Sequence, residues 1–271
     1  MRCRIAIFVF VLTTAASACV QRAAAQEISA APAPPAASAA AAATGDKPLP
    51  TAEEIVGKYE DATGARDAKA RFTTRAVKGI YQTEDASGFA GIEEFSKTPN
   101  KRYFKISFTN GITIREVCDG KAAWIEDPAG GVHAYTGVAL ESRLRAASFI
   151  NGAGLLDLNM PGRVVGIVQV GPHSTYEVQF APDKKYTLFV YFDTTTGLAV
   201  RADDVFRKDG GDFTVETFMD DYRAVDGLNV PFRFRHVEKG NIFTIRVTQI
   251  KNNPPVDDSL FVRPATAVNE P

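Results

Sequence analysis

The chain has 271 residues, 31 Lys and Arg against 32 Asp and Glu, a formal net charge of -1 and a hydrophobic content of 45%. This composition is typical of one medium-sized globular domain with extensions. It offers no excess of positive charge for binding phosphates, so we predict no nucleic-acid partner.

The first residues have the pattern of an export signal. Arg2 and Arg4 precede the apolar run IAIFVFVL, which is too short to cross a bilayer, and the small residues Ala16-Ser17-Ala18 follow it. We therefore predict a signal peptide over residues 1–25, with cleavage after residue 18 or residue 25. The mature protein is then expected in the periplasm.

Cys19 directly follows the small residues, as the lipidated cysteine of a bacterial lipoprotein does. Ala16 stands where leucine is usual, so ordinary cleavage after Ala18 or Ala25 is an equal alternative. Residues 26–50 are rich in Ala and Pro, which predicts a linker. If Cys19 is lipidated, this linker tethers the domain to the outer membrane.

An ordered domain is predicted over residues 51–265, followed by a tail over 266–271. Thr51 and Glu54 have the spacing of a capping box, Ile55 and Tyr59 give the next helix an apolar stripe, and Gly64 is a suitable end for it. This first helix is expected to pack on a sheet.

From Phe72 onward the apolar residues recur with the period of two that is typical of β-strands. Strands are predicted at 74–83, 88–97, 102–109, 112–118, 122–126, 163–170, 175–180, 186–192, 198–206 and 213–221. Short turns such as Asn110-Gly111 and Asp119-Gly120 make neighbouring strands antiparallel. Between these groups of strands, Leu140, Leu144 and Ala147 recur at helical spacing and predict an amphipathic helix between Gly137 and Gly154.

The stretch from Asp220 to Pro264 predicts two long strands in a hairpin, entered by a turn at Asp226-Gly227. We interpret it as the closing edge of the sheet, sealed by the tail from Val256 to Phe261. The expected fold class is α+β and mostly β. It is a long antiparallel curved sheet, a half-closed barrel, with two or three helices covering its concave face.

Four segments carry a resemblance to a known family: LPTAEEIVGKYEDATG, FDTTTGLAVR, YRAVDGLNVPFRF and KNNPPVDDSLFVRP. They resemble exported bacterial proteins of the outer-membrane lipoprotein-sorting (LolA/LolB-like) superfamily, over Leu49 to Pro264. The resemblance implies a half-barrel whose hydrophobic cavity holds acyl chains. Its motifs are turns and strand ends, so no ligand-contacting residue is carried over from the family.

Enzyme chemistry has little support in the sequence. His133, His173 and His236 lack metal-ligand spacing, and adjacent acidic pairs such as Asp203-Asp204 point to opposite faces of a strand. Nucleophile-elbow, phosphate-loop and dinucleotide motifs are absent from the sequence. We therefore predict a protein that is not an enzyme, with no cofactor and no metal.

The apolar strand faces supply the candidate cavity wall. Large side chains on the buried face of the strands and on the central helix are predicted to contact a ligand as a group, although for any one of them a role in the core is the more frequent one. They are Phe104, Ile106, Phe108, Ile112, Ile114, Trp124, Leu140, Leu144, Phe232 and Phe234. The helix at 137–154, flanked by glycines, is a candidate lid over them.

Two main function hypotheses follow, beside a third, an envelope hydrolase with dispersed motifs, which would need a polar cluster on the concave face. The first is a cell-envelope protein that binds a lipid or the acyl chains of a lipoprotein, as a soluble carrier or, if Cys19 is lipidated, as a tethered receptor. The alternative is a non-catalytic sensing or protein-interaction module on the same fold. That module would present an exposed strand edge or apolar patch.

Overall fold

The computed structural model describes residues 48–85, 88–128, 131–151, 155–181, 184–207, 211–264 and 268–269. The predicted signal peptide, Cys19 and nearly all of the linker lie outside these residues. None of the helices in the described ranges is long and apolar enough to span a membrane.

Helix α1, Ala52–Thr63, begins and ends as its sequence predicts. The Thr51 side chain accepts from the Glu54 amide at 3.2 Å, and the Glu54 carboxylate accepts from the Thr51 amide at 2.8 Å. Gly64 ends the helix in the left-handed conformation, at a φ of 70°. Ile55 and Tyr59 are buried against the sheet, so the predicted apolar stripe is the packing face. A one-turn helix α2, Ala68–Arg71, follows.

The described strands form one sheet. Their bounds are β1 Thr74–Thr83, β2 Phe89–Lys97, β3 Lys101–Phe108, β4 Thr113–Cys118, β5 Ala123–Asp127, β6 Gly131–Ala134, β7 Gly162–Val170, β8 His173–Phe180, β9 Tyr186–Asp193, β10 Ala199–Phe206, β11 Phe213–Val225, β12 Leu228–Glu238, β13 Asn241–Asn252 and β14 Val268–Asn269. Thirteen strands make a curved, unclosed antiparallel sheet, and the two-residue β14 adds to β6 in parallel. The predicted half-closed barrel is confirmed.

The order of strands across the sheet is β14-β6-β5-β4-β3-β2-β1-β13-β12-β11-β10-β9-β8-β7. The β12–β13 hairpin therefore lies in the middle of the sheet, between β11 and β1, and the prediction that it closes an edge is wrong. The error has a simple cause, since alternation reveals a strand's two faces but not its neighbours. Residues far apart in sequence, such as Tyr81 and Ile245, pair here.

Helix α3, Gly137–Ala146, is shorter than the predicted segment of 137–154. The chain turns after Ala147 and then runs without regular structure over 155–160. Both α3 and this segment cover the concave face of the sheet. The strand β6, which the sequence analysis missed, is only four residues long and carries little alternation.

The tail packs on the opposite, outer face of the sheet. Val256, Leu260 and Phe261 lie against Val117 and Trp124. Asp258 adds ion pairs to Lys97 at 2.8 Å and to Lys101 at 3.0 Å. The tail thus covers the outer face of β3–β6, where an apolar patch would otherwise be exposed to solvent.

Candidate functional site

The concave face encloses a cavity of about 490 Å³. Its floor is formed by eight consecutive strands, from β3 through β2, β1, β13, β12, β11 and β10 to β9. Only a strongly curved sheet can present so many strands to one cavity of this size. The apolar floor residues are Val77, Ile92, Phe104, Leu188, Ala202, Phe206, Met219, Phe234, Ile245, Val247 and Ile250.

The roof is the C-terminal half of α3 together with the segment 155–160, which contributes Leu155, Leu156, Leu158 and Met160. Two hydrogen bonds hold the beginning of this segment. The Leu156 amide donates to the Tyr59 hydroxyl of α1 at 2.9 Å, and the Ser148 hydroxyl donates to Asp157 at 2.5 Å. The extended segment lines the cavity as a roof without filling it.

The structure brings only two of the ten predicted residues to the cavity, Phe104 and Phe234. Six others pack in a side-chain cluster between α3 and β1–β5 and do not line the cavity. They are Ile106, Phe108, Ile112 and Ile114 on the sheet and, with them, Leu140 and Leu144 on the helix. These six side chains therefore lie in the hydrophobic core.

Trp124 and Phe232 also lie away from the cavity. Trp124 pairs with Val117 and faces outward beneath the tail, because β5 directs its neighbours Ala123 and Ile125 to the concave side. Phe232 belongs to a separate cluster with Phe149, and the Arg223 guanidinium lies 4.6 Å from its ring centre. Their aromatic character suggested a cavity wall, but neighbouring elements cover both.

A network of buried charges forms one end of the site. Arg102 contacts Glu94 at 2.8 Å and Glu116 at 3.3 Å. Glu116 also forms an ion pair with Arg143 of α3 at 2.7 Å and accepts a hydrogen bond from the Tyr135 hydroxyl at 3.1 Å. Glu94, Arg102 and Arg143 line the cavity. The network fastens α3 to the sheet through a fully buried carboxylate.

The far end of the cavity carries a second polar group. The Tyr186 hydroxyl donates to Asp204 at 2.5 Å, and the Arg145 guanidinium lies 4.2 Å from the Tyr186 ring centre. Burial raises the pKa of Asp204, and the hydrogen bond from Tyr186 offsets part of that rise. The two ends differ in kind, since this one holds a hydrogen-bonded carboxyl and the other an arginine cluster.

His236 lies in the floor between these ends. Its Nδ1 is 3.0 Å from the Thr217 hydroxyl, and its ring stacks on Phe243 with centroids 4.7 Å apart. Burial lowers the pKa of His236 to about 3, so the imidazole is neutral at pH 7. A neutral, stacked ring behaves as part of the cavity wall.

Sequence reasoning missed these polar residues, although the strands carried a usable signal. Three charged residues lie on the buried face of a strand, two positions from an apolar residue on the same face. They are Glu94 with Ile92, Arg102 with Phe104 and Glu116 with Ile114. Asp204 and His236 do the same on β10 and β12. A charged residue in an apolar phase indicates either a buried network or a ligand.

Within the described ranges, no group of three or more His, Cys, Asp or Glu side chains is placed to hold a metal ion. Cys118 is buried, and burial raises the pKa of its thiol, which disfavours the thiolate. The arrangement offers an apolar cavity with polar groups at its two ends. Cavities lined in this way are typical of small-molecule sites.

Two solved structures share this fold. A LolA superfamily protein from Nitrosomonas europaea superposes with a TM-score of 0.54 and 12% identity, over 79% of this chain and 99% of that chain. A DUF1329 family protein from Desulfovibrio piger gives 0.52 and 17%, over 77% of this chain and 97% of that chain. No protein-family model and no curated protein matches the sequence. At these identities the likeness establishes a LolA-like fold, as the sequence resemblance implied.

Proposed function

We propose that this protein is an exported, non-enzymatic cell-envelope protein that binds an amphiphile with a long acyl chain inside the half-barrel. The observation that carries the proposal is the apolar cavity on the concave face, beneath the C-terminal half of α3 and the 155–160 segment. The export signal predicted at residues 1–25 supports an envelope location. Release into the periplasm and attachment through Cys19 are both consistent with this binding role.

The size of the cavity fits such a ligand. Its 490 Å³ lies within the roughly 300–1,000 Å³ range of small-molecule sites. Each buried methylene contributes about 0.8 kcal/mol, so about a dozen give close to 10 kcal/mol before the costs of association. An acyl chain therefore needs no charged anchor for measurable affinity.

The test compares two substitutions on β13. Ile245 is half-buried and lines the cavity, whereas Ile242 is half-buried on the same strand and does not line it. Ile245→Asp places a charge against the acyl chain and is expected to weaken binding of a fluorescent fatty acid by at least about 10-fold, while Ile242→Asp leaves it near wild type. Thermal unfolding of both variants checks that each is folded.

Native mass spectrometry of the protein purified from its host complements the binding assay. A bound acyl lipid is expected. A wild-type protein that carries no lipid and shows no affinity for the fluorescent fatty acid refutes the proposal.

One observation favours the alternative hypothesis of a protein-interaction module. In the described sheet β7 is an edge strand of nine residues, with a single charged residue, and it exposes Val165 and Ile167 to 42% and 37%. Long apolar edges are templates for a further strand. The occupant it fits is an extended segment of a partner protein. Double substitution of Val165 and Ile167 to Lys abolishes capture of such a partner if this hypothesis is correct, and leaves fatty-acid binding intact.

A further inference from the structure

The row of side chains beyond the cavity floor contains an arginine that forms no ion pair within the part of the chain that the structure describes. Arg75 of β1 pairs with Asn252 on one side and with Ser96 on the other, and Ser96 pairs with Arg102. Val77, two residues along the same face of β1, lines the cavity, as does Arg102. Arg75 therefore lies directly behind the lining residues at the arginine-rich end of the cavity.

Arg75 is 1% exposed, and its hydrogen bonds are incomplete. Its Nε donates to Asn252 Oδ1 at 2.8 Å and its Nη1 to the Phe149 carbonyl at 3.2 Å, both neutral acceptors. Its Nη2 has no hydrogen-bond partner among the described residues. Below it lies the ring of Phe149, 4.6 Å from the guanidinium carbon. A buried donor left in this state costs free energy that a bound acceptor would recover.

The charge balance at this end points to the same missing acceptor. Three arginines, Arg75, Arg102 and Arg143, surround two carboxylates, Glu94 and Glu116, and both carboxylates are already ion-paired with the other two arginines. Glu94 acts on Arg75 only at a distance. One positive charge is left in excess. Burial lowers the pKa of Arg75 to about 10, which leaves it protonated at pH 7. Arg145 and Asp157, which line the roof nearby, carry opposite charges, so they do not change the net positive charge at this end of the cavity.

We propose that this end of the cavity is a subsite for the carboxylate head of a single-chain amphiphile, with its acyl tail along the apolar floor. A carboxylate carries one negative charge, which matches the single excess, whereas a phosphomonoester carries nearly two. Guanidinium groups bind carboxylates in a planar, charge-assisted geometry. This inference rests on the proposed function and names its ligand class.

The experiment measures three amphiphiles of equal chain length by displacement of a fluorescent fatty acid: hexadecanoate, its methyl ester and hexadecyltrimethylammonium. We expect the carboxylate to bind at least about 10-fold more tightly than the ester, and the cation to bind most weakly. Equal binding of carboxylate and ester overturns this inference while leaving the proposed function standing. No binding of any of the three overturns both.

Two substitutions at the subsite shift the preference in opposite directions. Arg75→Gln is expected to reduce the ratio of carboxylate to ester affinity to nearly 1, with ester binding retained. Glu94→Gln removes a negative charge and is expected to raise that ratio, so the inference stays testable if Arg75→Gln does not fold. Lys78→Gln, on the exposed face of the same strand, is the matched control and should leave the ratio unchanged. An unchanged ratio in both subsite variants contradicts the proposal.

Inorganic phosphate and acetate, tested alone as competitors, separate a lipid head group from a free anion. Neither is expected to displace the fluorescent fatty acid at millimolar concentration, because the acyl chain provides most of the affinity. Displacement of the fluorescent fatty acid by phosphate alone would show that the subsite binds a free anion. That result would contradict the proposal that its ligand is an amphiphile.

Discussion

Two parts of the concave face have the same alternation of apolar residues, but side chains fill the space above one part and leave a cavity above the other. On the side of α3 that faces β3 and β4, the helix side chains Leu140 and Leu144 pack with Ile106 and Ile114, and the space is filled. Beneath the extended segment 155–160, the space remains open. The alternation of apolar and polar residues along a strand therefore predicts which face is buried. The element packed above it decides between core and cavity.

The largest effect is expected from the carboxylate that fastens the filled part. Glu116→Gln leaves Arg143 and Arg102 buried beside a neutral group, so we expect a loss of about 3–5 kcal/mol in the free energy of unfolding. Urea denaturation measures it. Glu126→Gln is the control, because its ion pair with Arg115 is about 40% exposed on both sides and contributes no more than about 1 kcal/mol. Similar losses in both variants would show that the network does not hold α3.

The second prediction compares isoleucines from the two parts. Ile106→Ala removes a packed side chain of the filled part and is expected to cost about 2–5 kcal/mol, with fatty-acid affinity nearly unchanged. Ile250→Ala, in the half-buried cavity wall, is expected to cost about 1 kcal/mol and to weaken binding. Denaturation and ligand titration of both proteins measure the two quantities. A larger stability loss at Ile250 would mean that the cavity is packed.

The third prediction concerns pH and the floor of the open part. The folded pKa of His236 is about 3, and the unfolded value is about 6.5. Between pH 7 and pH 5 the unfolded chain takes up a proton there and the folded chain does not, so the free energy of unfolding falls by about 2 kcal/mol. This stability is present above pH 6.5 and is lost as the pH falls toward 3.

His236→Gln removes that titration. Its free energy of unfolding should therefore fall less than that of the wild type over the same pH interval. Urea midpoints at pH 7, 6 and 5 give the comparison. Parallel curves for the two proteins would mean that His236 is accessible to protons in the folded state.

The smallest effect is expected at Trp124, the one tryptophan of the chain. It lies beneath Phe261 on the outer face, so binding of an amphiphile in the cavity should leave its emission maximum unchanged. Phe261→Ala uncovers the indole and should shift that maximum to longer wavelength. A ligand-dependent shift in the wild type would place the ligand on the outer face.

Local sequence signals predicted much of the fold, because they depend on neighbouring residues. The capping box at Thr51 and Glu54 and the strand bounds at Thr74 and Thr83 agree with the structure. The candidate site was predicted less well. Phe104 and Phe234 line the cavity, but Ile106 has the same phase as Phe104 and packs under α3 instead. Strand periodicity is identical for the two, so it could not separate them.

By itself, the sequence determined the alternation of each strand, the turns that make neighbours antiparallel and the helix that begins at Thr51. Only the tertiary structure decided that β12 and β13 lie at the centre of the sheet, and that Arg75 joins Arg102 and Arg143 around two glutamates. The physical reason is that these contacts connect residues distant in the chain. Their burial depends on how the whole sheet curves.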